Sequence, residues 1–163
     1  MSQWIEGRVD LAEGMTFTAT NAAGNSIILE PGGSSSGRGV SPMEVVLLGL
    51  GGCTGIDVIS TLRKMRQRVS GYQVRVRGER REEHPRVYTR IEVEHLVRGQ
   101  GVRPSAVQRA IALSADRYCS VSAMLAQGAD VEISYRVVDE RTGDEVRGTV
   151  RPAPEDSTTG TLP

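Results

Sequence analysis

"SPMEVVLLGLGGCTGIDVIS", residues 41–60, decides how this chain folds. Ser41 is a good N-cap, Pro42 suits the first helical position, and Glu44 stands where a capping box places its acid. Apolar residues from Val45 to Ile59 cover every face of the helix that follows, which predicts burial on all sides for its first half. Into that helix the chain places Gly49, Gly51, Gly52 and one thiol, Cys53. Each interior glycine costs about 1 kcal/mol relative to alanine. Gly49, Gly52 and Cys53 share one face, so a second helix or a dimer mate can approach closely there. The same bare surface leaves a path for a small molecule to reach the sulfur. Past Ser60 the pattern turns amphipathic, and Arg63, Lys64, Arg66 and Arg68 gather where the helix dipole favours cations. With Gly71 as the stop, the helix runs about 27 residues, or roughly 40 Å.

On the N-terminal side, three short β-type segments are predicted: one marked by Trp4, Val9 and Leu11, then "MTFTAT" (15–20), then "SIILE" (26–30). "NAAGN" (21–25) is the hairpin turn between the last two. A Gly/Ser loop, residues 31–40, carries Arg38 and is either a mobile lid or a linker. On the C-terminal side, "YQVRVRGERRE" (72–82) and "VYTRIEVEHLVRG" (87–99) alternate apolar and charged residues, the pattern of an antiparallel pair turning at "EHPR". A second helix runs from near Pro104 to about Tyr118, a short third covers 120–127, and "DVEISYRVV" (130–138) is a strand. The polar tail from Asp139 is expected to be disordered, or at most to add a weak strand around "RGTVR". The order βββ–α–ββ–αα–β defines an α+β protein with a mainly antiparallel sheet.

The 163 residues suit one domain with a real core. Twenty basic residues balance twenty acidic ones, so no global field argues for nucleic acid or a membrane surface. All the basic residues except Lys64 are arginine, most simply a matter of genomic base composition. The N-terminus lacks the apolar region of a signal peptide, and the longest unbroken apolar run, Val45 to Leu50, is too short to span a bilayer. The expected location is the cytoplasm, where disulfides are rare unless catalytic or redox-sensing. Two cysteines, Cys53 and Cys119, with only His84 and His95, show no zinc spacing.

Three segments carry a resemblance: "SPMEVVLLGLGGCTGIDVIS", "GERREEHPRVYTRIEVEHLV" and "AVQRAIALSADRYCSVSAMLAQGADVEISYRVV". In that order they resemble the OsmC/Ohr family of osmotically inducible and organic hydroperoxide resistance proteins. "GGCT.IDV" and "YCSV" point to its YhfA-like branch. The resemblance covers residues 1–138 and leaves 139–163 as a tail. It implies an OsmC-like fold, with antiparallel sheets wrapped around long central helices in an intertwined homodimer. It also implies reduction of small organic hydroperoxides: the thiol at Cys53 attacks the peroxide, Cys119 resolves the sulfenic acid as a disulfide, and a dithiol such as a lipoylated protein restores both, with no metal or bound organic cofactor in the cycle.

Each site residue also has a plainer reading. Cys53 alone is equally a small buried hydrophobe, and its activity as a thiolate requires a nearby cation. Cys119 is the more suggestive, since a helix starting at Ser120 would place it at a dipole that favours thiolate. Peroxidases of the family carry a glutamate ten residues before the reactive thiol; here that position is Met43, and Glu44 is explained by its capping role. They also draw an arginine from the N-terminal strands, absent here between residues 11 and 30, which leaves Arg8 or Arg38, with Arg38 the better placed. Asp57, four residues after Cys53 on the same face, opposes thiolate formation unless it holds a cation such as Arg38 or Arg117; otherwise it is a polar group satisfied by backbone or a partner chain. His95 reads as a packed, hydrogen-bonded histidine, His84 as a turn residue, and "RGERREEHPR" (77–86) as a solvated strand end without the aromatics of a nucleic-acid surface. The first functional reading is a thiol-dependent peroxidase using Cys53 and Cys119, supported by Arg38 and Asp57. The alternative is a non-catalytic relative that binds an apolar ligand or senses oxidants.

Overall fold

Capping sets the start of the central helix. A computed structural model describes residues 3–34 and 36–151, and in it α1 spans Pro42–Lys64. Both halves of the capping box form: the Ser41 N–H donates to Glu44 Oε2 at 2.7 Å, and the Glu44 N–H donates to Ser41 Oγ at 3.3 Å. The Ser41 N–H, helped by the Ser41 hydroxyl, holds the Glu44 carboxyl below its usual pKa. The helix stops well short of Gly71. Arg66 turns left-handed at φ 56°. The Gln67 N–H then reaches Leu62 O, and the Arg66 N–H reaches Arg63 O, each at 2.9 Å. That is a Schellman closure with arginine where glycine usually stands, so no residue type announced it. Gly71 instead lies beside a bulge in the next strand.

The chain divides into two compact units, Met1–Leu48 and Gly49–Pro163. In the first, β1 (Gly7–Glu13), β2 (Thr16–Asn21) and β3 (Ser26–Leu29) form an antiparallel sheet in that order. The predicted turn closes through Gly24 at φ 86° and an Asn25 N–H bond to Asn21 Oδ1 of 2.9 Å. The Gly/Ser loop is tied down at its end. Buried Glu30 accepts hydrogen bonds from Ser36 Oγ, the Gly39 N–H and Thr16 Oγ1. The first of these leads in lowering its carboxyl pKa. Val40 bridges back to Leu29.

In the second unit, β4 (Val69–Arg80), β5 (Tyr88–Gly99), β6 (Asp130–Asp139) and β7 (Glu145–Val150) lie side by side in chain order. The β4–β5 and β6–β7 pairs are antiparallel, and β5–β6 is parallel. A parallel neighbour needs a long crossover. Here it is α2 (Pro104–Leu113), a single π-helical turn (Ser114–Tyr118) and α3 (Ser120–Leu125). The core gathers Ile91, Val93 and Val97 of β5, Ile133 and Val137 of β6, Val107 and Ile111 of α2, and Val58 and Leu62 of α1. Two α1 glycines meet the sheet directly: a Cβ at Gly51 would stand 3.3 Å from Val76, and one at Gly55 3.4 Å from Val74. Gly49 and Gly52 face open space.

Of the two states expected for the tail, the strand around "RGTVR" is the one that forms. Residues 145–150 are not disordered but pair with the open edge of β6, and Val150 is buried. Gly148 makes the pairing possible, because a Cβ there would lie 2.5 Å from the Tyr135 ring opposite it. The rest of the tail, 152–163, lies outside the described residues. By length and composition α1 as a whole could cross a membrane, which the Val45–Leu50 run alone could not. Its packing on β4 is that of a helix laid on a sheet.

Candidate active site

Cys53 and Asp57, one turn apart on α1, share a face as the helical period requires. Cys119 comes to them from within the crossover, between the π turn and α3. The π turn after α2 closes with the Cys119 N–H on Ser114 O at 2.9 Å. Cys119 then leaves helical geometry (φ −76°, ψ 95°) and caps α3, its sulfur accepting the Ser122 N–H at 3.4 Å. As a result the two sulfurs and an Asp57 carboxylate oxygen all lie within 4.8 Å of one another. Both cysteines are free thiols. Sequence spacing had shown no metal-ligand set; folding assembles three donors.

A hydroxyl chain orients the carboxylate. Ser114 Oγ donates to Asp57 Oδ2 at 3.0 Å, so its one proton is used, and Thr54 Oγ1, also 3.0 Å away, donates to Ser114. Within the chain, Asp57 thus has a side-chain hydroxyl for a partner. Thr54 and Ser114 were missed, since small hydroxyl residues in apolar helices carry no pattern of their own.

Electrostatics divide the site. Cys119 is 3 % exposed. Burial, reinforced by Cys53 and the Asp57 charge and only partly offset by the Ser122 N–H, pushes its thiol up to about 12. The expected N-terminal cap exists, but desolvation outweighs it, and Cys119 is a protonated thiol at neutral pH. Cys53 is half-buried. Nearby, the Tyr72 hydroxyl bonds His95 Nδ1 at 2.7 Å and the two rings stack. Burial, and then the Asp57 charge, raises the tyrosine. His95 is fully buried and pushed down to about 4 by desolvation. Its Nε2 has no hydrogen-bond partner among the described residues. The reading of His95 as a packed, hydrogen-bonded histidine holds for one nitrogen.

Arg38 belongs to the first unit, is exposed, and bonds Ser36 Oγ through its own N–H at 3.3 Å. Arg117 is exposed on the π turn. In the 77–86 segment, Arg80, Arg81 and Arg86 are engaged with the backbone carbonyls of Arg86, Pro85 and Glu82.

A family model described as OsmC-like protein matches residues 33–134. The chain is 43 % identical over 134 residues to Protein YhfA of Escherichia coli K12, covering 82 % of this chain and 98 % of that one. A crystal structure of a hypothetical protein from Aquifex aeolicus is 32 % identical, with a TM-score of 0.77 over 85 % of this chain and 99 % of its own. An organic hydroperoxide resistance protein from Elizabethkingia anophelis is 14 % identical, with a TM-score of 0.62 over 86 % and 99 %, a likeness of fold alone.

Proposed function

The chain belongs to the OsmC-like protein family, and on that premise we propose that it is a thiol-dependent peroxidase of small organic hydroperoxides, active in oxidative stress defence. The observation that carries the reading is the approach of Cys53, Cys119 and Asp57 within 4.8 Å, from residues 62 to 66 positions apart in the chain and two on one helix. Cys53, the more open sulfur, attacks the outer peroxide oxygen as a thiolate; the O–O bond breaks, the alcohol leaves, and Cys53 becomes a sulfenic acid. Cys119 then loses its proton, with Asp57 the adjacent acceptor, and attacks the Cys53 sulfur. A disulfide forms and water leaves. A dithiol such as a lipoylated protein restores both thiols and is itself oxidised.

The same reading includes a cytoplasmic, intertwined homodimer. Supporting it, Leu48, Gly52 and Ile56 form an exposed stripe along α1 at i, i+4 and i+8. That is an apolar surface with small residues that suits a second helix.

The test is intact mass after reduced protein meets one equivalent of cumene hydroperoxide for seconds. Loss of two hydrogens, abolished by either Cys53→Ser or Cys119→Ser, is the expected result. An unchanged mass over many minutes would overturn the peroxidase. One observation favours a second reading, a slow oxidant sensor: the Cys119 sulfur is buried away from solvent, which disfavours its thiolate. Formation of the same disulfide over minutes, without turnover in the presence of dithiol, would select it.

A further inference from the structure

We propose that the reduced protein binds one thiophilic cation of the Zn²⁺ type through Cys53 Sγ, Cys119 Sγ and the Asp57 carboxylate, closing the dithiol to oxidation while it is bound. The proposal stands on the geometry and does not depend on peroxidase activity.

Three donors within 4.8 Å of one another nearly outline a coordination sphere. Zinc–sulfur bonds of about 2.3 Å and zinc–oxygen bonds of about 2.1 Å put tetrahedral ligands roughly 3.6–3.8 Å apart. The difference left for the side chains to close is about 1 Å. Two sulfurs and one oxygen select a soft or borderline ion over magnesium or calcium, which take oxygen ligands. Three protein ligands leave a fourth position for water or a small anion.

The surroundings fit a bound cation. Asp57 is badly placed for a site that must only stabilise a thiolate, since its charge opposes a second negative group. Around a divalent cation the same carboxylate becomes a ligand. The Thr54–Ser114–Asp57 chain already orients it, as outer hydrogen bonds orient metal ligands elsewhere. Cys119 sulfur accepts a backbone N–H, a bond that strengthens when sulfur carries charge. Binding releases two thiol protons to solvent, and no group is oxidised or reduced.

The experiment titrates metal-free reduced protein with Zn²⁺ against a chromophoric chelator, with Cd²⁺ as a second probe whose thiolate bonds absorb in the ultraviolet. One ion per chain is expected. Cys53→Ser and Cys119→Ser should each weaken binding at least ~100-fold, and Ser114→Ala about 10-fold, as the loss of an orienting partner does. Wild-type protein alkylated at Cys53, the half-buried sulfur, with its circular dichroism unchanged, should lose the site and needs no variant to fold. Bound Zn²⁺ should also slow disulfide formation by at least ~10-fold. Zinc binding that survives alkylation, or no binding at micromolar concentrations, would overturn the proposal. Peroxide reactivity is read on metal-free protein, so a chain that binds Zn²⁺ but ignores peroxide keeps this inference and loses the peroxidase. The opposite result does the reverse.

Discussion

The two sheets of this protein use similar residues and reach opposite ends. In the four-stranded sheet Ile91 and Val97 are completely buried. In the three-stranded sheet Val9 and Leu11 are 58 % and 62 % exposed, and Ile27 and Ile28 are exposed as well. Strand propensity explains both sheets equally, because valine and isoleucine suit a pleated ladder wherever it lies. The difference is cover: the larger sheet packs against α1 and the crossover helices, whereas the smaller presents apolar side chains to solvent in the single chain. A surface of that kind asks for a partner, which is why it supports the proposed dimer.

The comparison can be broken first at the larger sheet. Ile91→Ala removes a fully buried side chain and should cost about 2–5 kcal/mol in urea denaturation, as cavity-forming substitutions do. A loss below ~1 kcal/mol would mean that this core is looser than its burial indicates. The same sheet conceals His95. Its pKa falls from 6.5 to about 4 on folding, so between those values the unfolded chain binds the extra proton. Stability is therefore complete above about pH 6.5, falls as the pH drops towards 4, and changes no further below it on this account. The total is ~3 kcal/mol, and His95→Gln should flatten that part of the pH–stability curve.

A smaller effect probes the first unit. A Cβ at Gly39 would stand 2.9 Å from both the Glu30 side chain and the Ile28 carbonyl oxygen. Gly39→Ala should cost about 1–3 kcal/mol through overpacking, measured by thermal unfolding. A silent substitution would show that Glu30 does not hold the loop in solution. Smallest in the isolated chain is Val9→Ser with Ile27→Ser, expected within about 0.5 kcal/mol at nanomolar protein because both residues are already exposed. If a partner chain covers this sheet, the wild-type unfolding midpoint rises with protein concentration and the double variant loses that rise.

The two thiols offer a parallel contrast. Half-buried Cys53 should be alkylated by iodoacetamide at pH 8 at least ~100-fold faster than Cys119, whose buried thiol has little thiolate there. Equal rates, read by peptide mass, would contradict the burial of Cys119.

The sequence alone determined what short-range chemistry can write. Ser41 and Glu44 fixed the start of α1, strict alternation fixed the β4–β5 pair, "NAAGN" fixed a hairpin, and the sequence context of two cysteines pointed to the family. Tertiary structure decided what depends on residues distant in the chain. Arg66 ends α1 because the Schellman bonds and the following strand outweigh its preference against left-handed backbone. β7 forms because β6 offers an open edge and Gly148 admits Tyr135. The parallel β5–β6 pairing and the π turn bring Cys119 to Cys53, and Ser114 to Asp57, across some sixty residues of chain. Most of all, the cap on Cys119 was legible and its consequence was not: a helix end favours thiolate, but the packing that buries the sulfur costs the charged form more than the cap returns.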